Sequence, residues 1–363
     1  MSGLVTTGTV NIVGTGGILE GDLDDANVNV NLDAVLDWNG SSDYISIADD
    51  NALDFGNDTF SVSMWIKTTQ TTSSNAYLIH KANDDAGSGD KWWGISLDSA
   101  EKVHFQVDDG STAVDVLSST VINDGSWHHI CAIYKESTNL RMYIDGVLET
   151  TTTHSSSLDT DTTSVIEIGA PTGRGLGGQY GDYYNGQIAD VRAYKEDLGA
   201  TAGQVELLAS KININSALGV GTTNLKLHLP LTIKNSTSTG DAISGSDETD
   251  NVIDMSEFRN FTNGEYLLID NEIIGPISAV GDSGNDVAIP DGDTGRGMFG
   301  TTKAAHSAGV PIFIVRFADE SGEDNHPTLA GSLATPSGDI DFNQFYVNVH
   351  DNSTTTDGTF TVT

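Results

Sequence analysis

Four Asn-Gly or Asp-Gly dipeptides punctuate the first half of this chain: Asn39–Gly40, Asp109–Gly110, Asp124–Gly125 and Asp145–Gly146. Such pairs reach the positive φ of a tight turn at little steric cost, and they mark reversals between antiparallel strands. The runs they separate are rich in Val, Ile, Thr and aromatic residues. They are Tyr44–Ile47, Phe60–Thr68, Tyr77–Lys81, Trp92–Leu97, Lys102–Val107, Trp127–Tyr134, Leu140–Ile144, Val165–Ile168 and Gly186–Tyr194. Strands at this spacing predict an all-β chain with two stacked antiparallel sheets. The best helical pattern is short, around Gln204–Ser210, and 40 glycines fit a chain of many turns.

Composition shifts divide the rest. Residues 1–34 are small, polar and β-prone; an extended assembly arm and a disordered terminus both fit. The sandwich is expected over 35–212, one further strand and a polar linker over 213–251, a smaller β module over 252–320, and a β-rich tail over 321–363.

Acidic residues number 52 against 16 basic ones, a formal charge of −36. That balance opposes nucleic-acid binding, which needs Lys and Arg to replace phosphate counterions, and it opposes adhesion to anionic membranes. No run approaches the roughly 20 apolar residues of a membrane-spanning helix, so no membrane insertion is expected. Cys131 is the sole cysteine and cannot form a bridge within the chain. The first 25 residues lack a basic start and a sustained apolar core, so export by a signal peptide is not expected.

The conspicuous stretch is "DGSWHHICAIYKESTNLRMYIDGVLE", Asp124–Glu149. On a strand, Trp127, His129, Cys131 and Ile133 share one face, and His128, Ile130, Ala132 and Tyr134 the other. Adjacent histidines therefore cannot converge on one ion, and no spaced His/Cys cluster completes a site around His129 and Cys131. This predicts a core strand. No G-x-S-x-G elbow, H-E-x-x-H helix or Walker loop occurs, and "TGRGLGGQYG" lacks the strand–helix setting of a phosphate cradle.

This stretch resembles the hallmark strand pair of laminin G-like and pentraxin-like domains, which are concanavalin A-like jelly rolls. Leu36–Thr68 resembles the opening strands of that family, and "YYNGQIADVRAYKEDL" (Tyr183–Leu198) its closing strand. The resemblance implies a jelly roll over about 35–210. In pentraxins the cysteine at this point is bridged to one on the strand reading "FTVC"; here the strand reads "FSVS", which places Ser63 opposite an unpaired Cys131. Pentraxin-type Ca2+ sites have a counterpart here only in part: Asn83, Asp84 and Asp85 resemble one half, whereas "APTGRGLGGQYGDYY" offers Arg174 and glycines for the other, so a weak Ca2+ site and a plain solvated loop both fit. Glycosidases on this fold carry E-x-D-x-x-E, which is absent; Glu167 is a lone carboxylate, expected to face outward, so no enzyme is expected. Lectin-like relatives suggest sugar stacking by Trp92, Trp93, Tyr180, Tyr183 or Tyr184, with Trp92 and Trp93 on opposite faces.

Gly264–Val315 resembles a small β module of tailed-phage virion proteins, through "GEYLLIDNE" and "RGMFGTTKAAHSAG". Its glycines would bend a loop presenting Arg296, Met298 and Phe299, either to a neighbouring subunit or to the module's own core; His306 is expected to bond within that loop. The combined expectation is a non-enzymatic virion component, a head decoration or a tail or fibre-associated protein. It would be assembled in the host cytoplasm and would contact other virion proteins and further copies of itself. The alternative is a carbohydrate-binding module that contacts host surface glycans.

Overall fold

A computed structural model describes residues 8–11, 28–82, 90–171, 181–209, 224–240, 242–243, 252–254, 263–279, 286–290, 292–334, 340–351 and 359–362. The chain divides into two compact units, Met1–Ala34 with Phe342–Thr363, and Val35–Asp341.

Strand β1 (Gly8–Asn11) is followed by β2 (Val28–Asn39), β3 (Tyr44–Ile47), β4 (Phe60–Lys67), β5 (Ala76–Ala82), β6 (Lys91–Leu97) and β7 (Lys102–Asp109). Next come β8 (Ala113–Val121), β9 (Trp127–Lys135), β10 (Asn139–Ile144), β11 (Val147–Thr153), β12 (Ile166–Ile168), β13 (Asn185–Tyr194) and helix α1 (Gln204–Ala209). The chain continues with β14 (Leu225–Leu229), β15 (Thr232–Ser238), β16 (Val252–Asp254), β17 (Tyr266–Ile269), β18 (Glu272–Ile274), β19 (Ser278–Ala279) and β20 (Asp286–Ala288). Strands β21 (Pro311–Arg316), β22 (Pro327–Ala330), β23 (Ile340–Asp351) and β24 (Thr359–Val362) complete it. In the first unit, β1 pairs antiparallel with β24, from Gly8 opposite Val362 to Asn11 opposite Thr359.

The second unit is the expected all-β antiparallel sandwich. One sheet runs β11-β10-β9-β4-β13, and the other runs β22-β3-β12-β5-β6-β7-β8. Alternation decides which side chains go between them. Phe60, Val62, Met64 and Ile66 of β4 meet Trp93, Ile95 and Leu97 of β6 and Val103, Phe105 and Val107 of β7, all fully buried. Phe60 is the aromatic hub, 4.6 Å from Phe55, 5.6 Å from Trp93 and 5.5 Å from Tyr134 between ring centroids. Each such ring contributes on the order of 2 kcal/mol by burial.

The β9–β10 pair is architecture, with Ile130–Tyr134 buried throughout. Cys131 lies directly opposite Ser63 on β4. On the outward side of that sheet Val205 and Leu208 of α1 cover Cys131, Ile133, Tyr143 and Tyr194. Asp145 (φ 51°) and Gly146 (φ 80°) form the positive-φ turn between β10 and β11.

Between β3 and β13, two strands lie outside the expected runs, β8 and β11. Each ends its sheet, and much of each strand faces solvent, so Ser, Thr and acidic residues dilute the apolar alternation. Residues 234–238, expected to open a polar linker, continue β15 and pair with β21. The C-terminal half also enters both sheets of the sandwich. β14 pairs with β13, and β22 pairs with β3 from Pro327 opposite Ile47 to Ala330 opposite Tyr44. Buried Asp43 secures that join, accepting from the Ser332 backbone N–H at 2.6 Å and the Asn39 N–H at 3.0 Å. Gly331 (φ 70°) is required there, since a Cβ would lie 2.3 Å from the Ser42 carbonyl oxygen.

Candidate functional site

In "KWWGISL" successive side chains must point oppositely, so one tryptophan enters the core and the other leaves it. Trp93 is fully buried against Phe55 and Phe60. Trp92 emerges on the outer face of the second sheet and is half-buried. Beside it Gly94 keeps the surface low: an added Cβ would sit 3.2 Å from the Trp92 ring and 3.0 Å from the His80 Cβ.

Register assembles a polar row across this face. Ser46 on β3 stands opposite Glu167 on β12, Glu167 opposite His80 on β5, His80 opposite Gly94 on β6, Gly94 opposite Gln106 on β7, and Gln106 opposite Asp115 on β8. Asp108 is the cross-strand neighbour of Trp92, and its Oδ1 accepts the Gly110 N–H at 2.8 Å. His80 Nε2 lies 3.0 Å from the Ala170 carbonyl oxygen, which only accepts, so this nitrogen carries the proton. Glu167 Oε2 is 3.6 Å from the same nitrogen. Tyr77 stands edge-on to His80 at 5.3 Å and to Trp92 at 6.5 Å. At the far end His104 pairs with Asp115 at 3.4 Å. Trp92 thus borders the strand-held polar groups Gln106 and Asp108, an arrangement that can orient a small polar ligand, while Tyr77, His80 and Glu167 are buried beside it.

The other aromatic candidates divide. Trp93 and Tyr184 are corrections: both are fully buried, and the Tyr184 hydroxyl sits 2.9 Å and 3.1 Å from the Lys67 and Gln187 carbonyl oxygens. Burial pushes the Tyr184 phenol upward. Tyr183 is half-buried, and its carbonyl accepts from the Gln70 side chain. Tyr180 and the calcium candidates Asn83, Asp84 and Asp85 lie outside the described residues. Glu167 points out from the sandwich as expected, yet it is only 7% exposed.

The histidines of β9 serve structure. His128 bonds Asp145 at 2.8 Å and Asp124 at 3.3 Å. His129 is buried edge-on to Trp65 at 5.4 Å, and burial pushes its pKa down to about 4. Burial likewise pushes the Cys131 thiol up to about 12. Among the described residues, no group of three or more His, Cys, Asp or Glu is placed to hold a metal ion.

The subunit-contact candidates turn inward. Arg296 donates to both oxygens of Glu272, at 2.6 Å and 2.8 Å, and is 7% exposed. Phe299 packs on Tyr266 at 4.8 Å, while Met298 is half-buried and its carbonyl accepts from Thr301 at 3.1 Å. The loop folds back because Gly297 (φ 62°) and Phe299 (φ 54°) both take the left-handed conformation. The His306 ring bonds not within its own loop, as expected, but across to the β17–β18 hairpin: Nδ1 lies 2.9 Å from Asp270 and Nε2 lies 2.9 Å from Glu272.

Residues 39–202 match the family model Laminin_G_3, described as the concanavalin A-like lectin/glucanases superfamily. The chain therefore carries a laminin G-like domain of that superfamily. No curated protein matches the chain. A heptameric SAP-like pentraxin of Limulus polyphemus is similar in structure at 14% identity, covering 50% of this chain and 83% of that one, with a TM-score of 0.37. Domain 4 of the arabinanase AbnA from Geobacillus stearothermophilus, solved with arabinotriose, has 22% identity, coverages of 48% and 76%, and a TM-score of 0.38. The mouse laminin alpha1 LG4-5 domains give 12%, coverages of 97% and 96%, and a TM-score of 0.36.

Proposed function

We propose that the chain is a non-catalytic carbohydrate-binding protein whose laminin G-like domain holds a sugar on the outer face of β5, β6 and β7. The observation that carries this reading is Trp92, half-exposed over Gly94 and flanked by Gln106 and Asp108. Its indole offers a flat apolar surface to the C–H face of a pyranose, and the neighbouring polar groups bond the hydroxyls. A superfamily whose description names lectins supports the same reading. Catalysis is not part of this reading: the sequence lacks the E-x-D-x-x-E pair of glycosidases on this fold.

The virion role draws its specificity from the resemblance of residues 264–315, which no comparison with known proteins supports. The burial of Arg296 and Phe299 removes two of the three contact residues it would use. Glycan-array binding by the full chain tests the carbohydrate reading. Saturable binding that Trp92→Ala weakens at least about tenfold, with an unchanged circular dichroism spectrum, is expected for one lost stacking contact. Glycan binding indifferent to Trp92→Ala would remove this face from consideration.

A further inference from the structure

We propose that the Trp92 face selects pyranosides that are neutral or bear an ammonium group and rejects those that bear a carboxylate. This rests on the carbohydrate reading above and adds the class of sugar. The charged side chains pointing outward along β5, β6, β7, β8 and β12 are the carboxylates of Asp108, Asp115 and Glu167 and the ammonium of Lys102, with His80 and His104 between them. The lysines nearest the ends of β5 and β6 are already engaged: Lys81 is buried between Asp49 and Asp54, and Lys91 pairs with Asp159.

Asp108 decides the selection. Directly opposed residues of an antiparallel pair have Cβ atoms about 5 Å apart, so a ring stacked on Trp92 lies beside this carboxylate. The Gly110 N–H fixes the orientation of the carboxylate, and among the described residues no Lys or Arg forms an ion pair with it. A uronic or sialic carboxylate brought to this position meets like charge at close range, whereas the ammonium of an amino sugar meets its opposite. The −36 charge of the chain reinforces the sign at longer range, within the Debye screening of the buffer.

The test uses the full chain and three pyranose trimers, of glucosamine, of N-acetylglucosamine and of galacturonic acid, titrated by calorimetry. The expected result is saturable binding of the first two and at least about tenfold weaker binding of the third in low salt. Asp108→Asn, or salt raised to about 0.5 M, narrows that gap. Equal or tighter binding of the galacturonic trimer overturns the selectivity and leaves the carbohydrate reading standing. Glucosamine-trimer binding that survives Trp92→Ala overturns it too, since it would then be general attraction to an acidic protein. Failure of all three trimers to bind saturably overturns both readings.

Discussion

Replacing Glu272 with Gln keeps its size and removes its charge, in the most highly connected polar group of the C-terminal half. Its carboxylate is fully buried and accepts from Arg296 twice, from the backbone N–H of Gly297 (3.0 Å) and Ala304 (2.8 Å), and from His306. Burial alone would raise its pKa. The His306 and Arg296 bonds, the Ala304 N–H and the Arg296 charge outweigh burial and hold it at about 2, against 4.5 for a free carboxyl. That difference corresponds to roughly 3 kcal/mol of linkage to folding. In E272Q the buried Arg296 guanidinium loses the charge of the carboxylate it donates to twice, a loss of about 3–5 kcal/mol. For a unit of this size, that lowers the melting temperature by roughly 6–10 °C.

The pH dependence has two arms. The Glu272 contribution is complete above 4.5 and is lost as pH falls toward about 2. His306 is opposed by burial but raised by its bonds to Glu272 and Asp270. Its contribution is complete below 6.5 and is lost as pH rises through its higher folded value. Opening free energies from amide exchange across Arg296–His306 should therefore be greatest between about pH 4.5 and 6.5. An E272Q protein that melts within about 1 °C of the parent, with unchanged protection of the Ala304 amide, would refute this account of the network.

Other outcomes follow from the sandwich. Cys131, buried with its pKa pushed to about 12, should resist thiol reagents in the native protein and react at one equivalent once denaturant is added. His129 should remain neutral in NMR titration down to about pH 4. Because its folded pKa lies below 6.5, it withdraws stability as pH falls from 6.5 toward 4, and His129→Leu should flatten that part of the global profile. Gly146→Ala forces a side chain to φ 80° and to 3.2 Å from Glu206 Cα, so urea unfolding should show a loss of about 1–2 kcal/mol.

How far the sequence could be read depended on where each residue lies. β4, β9 and β10 are central and flanked on both sides, so their apolar runs are long and their limits plain. β8 and β11 are terminal and polar, which hides their alternation in the sequence. The opposite facing of Trp92 and Trp93 follows from a two-residue period. Which of them is inside follows only from Phe55 and Phe60, more than 30 residues earlier. His80 and Glu167 meet through the β5–β12 register, a pairing of segments far apart in sequence that no local pattern encodes. For the loop of Arg296, Met298 and Phe299 the sequence leaves open whether it faces a neighbour or its own core. It turns inward because Glu272, on a separate strand, supplies the counter-charge that draws Arg296 in.

The seam where β22 zips onto β3, with Asp43 gripping Ser332, bears on how this polypeptide could be cut. A piece trimmed to residues 39–202 would keep the jelly-roll strands but strip β3 and β13 of neighbours, leaving two raw margins of unpaired amides. It would also strand the Asp43 carboxylate without its clasp. The laminin G-like domain and the strands that follow it therefore complete each other's sheets, and each covers the other's borders.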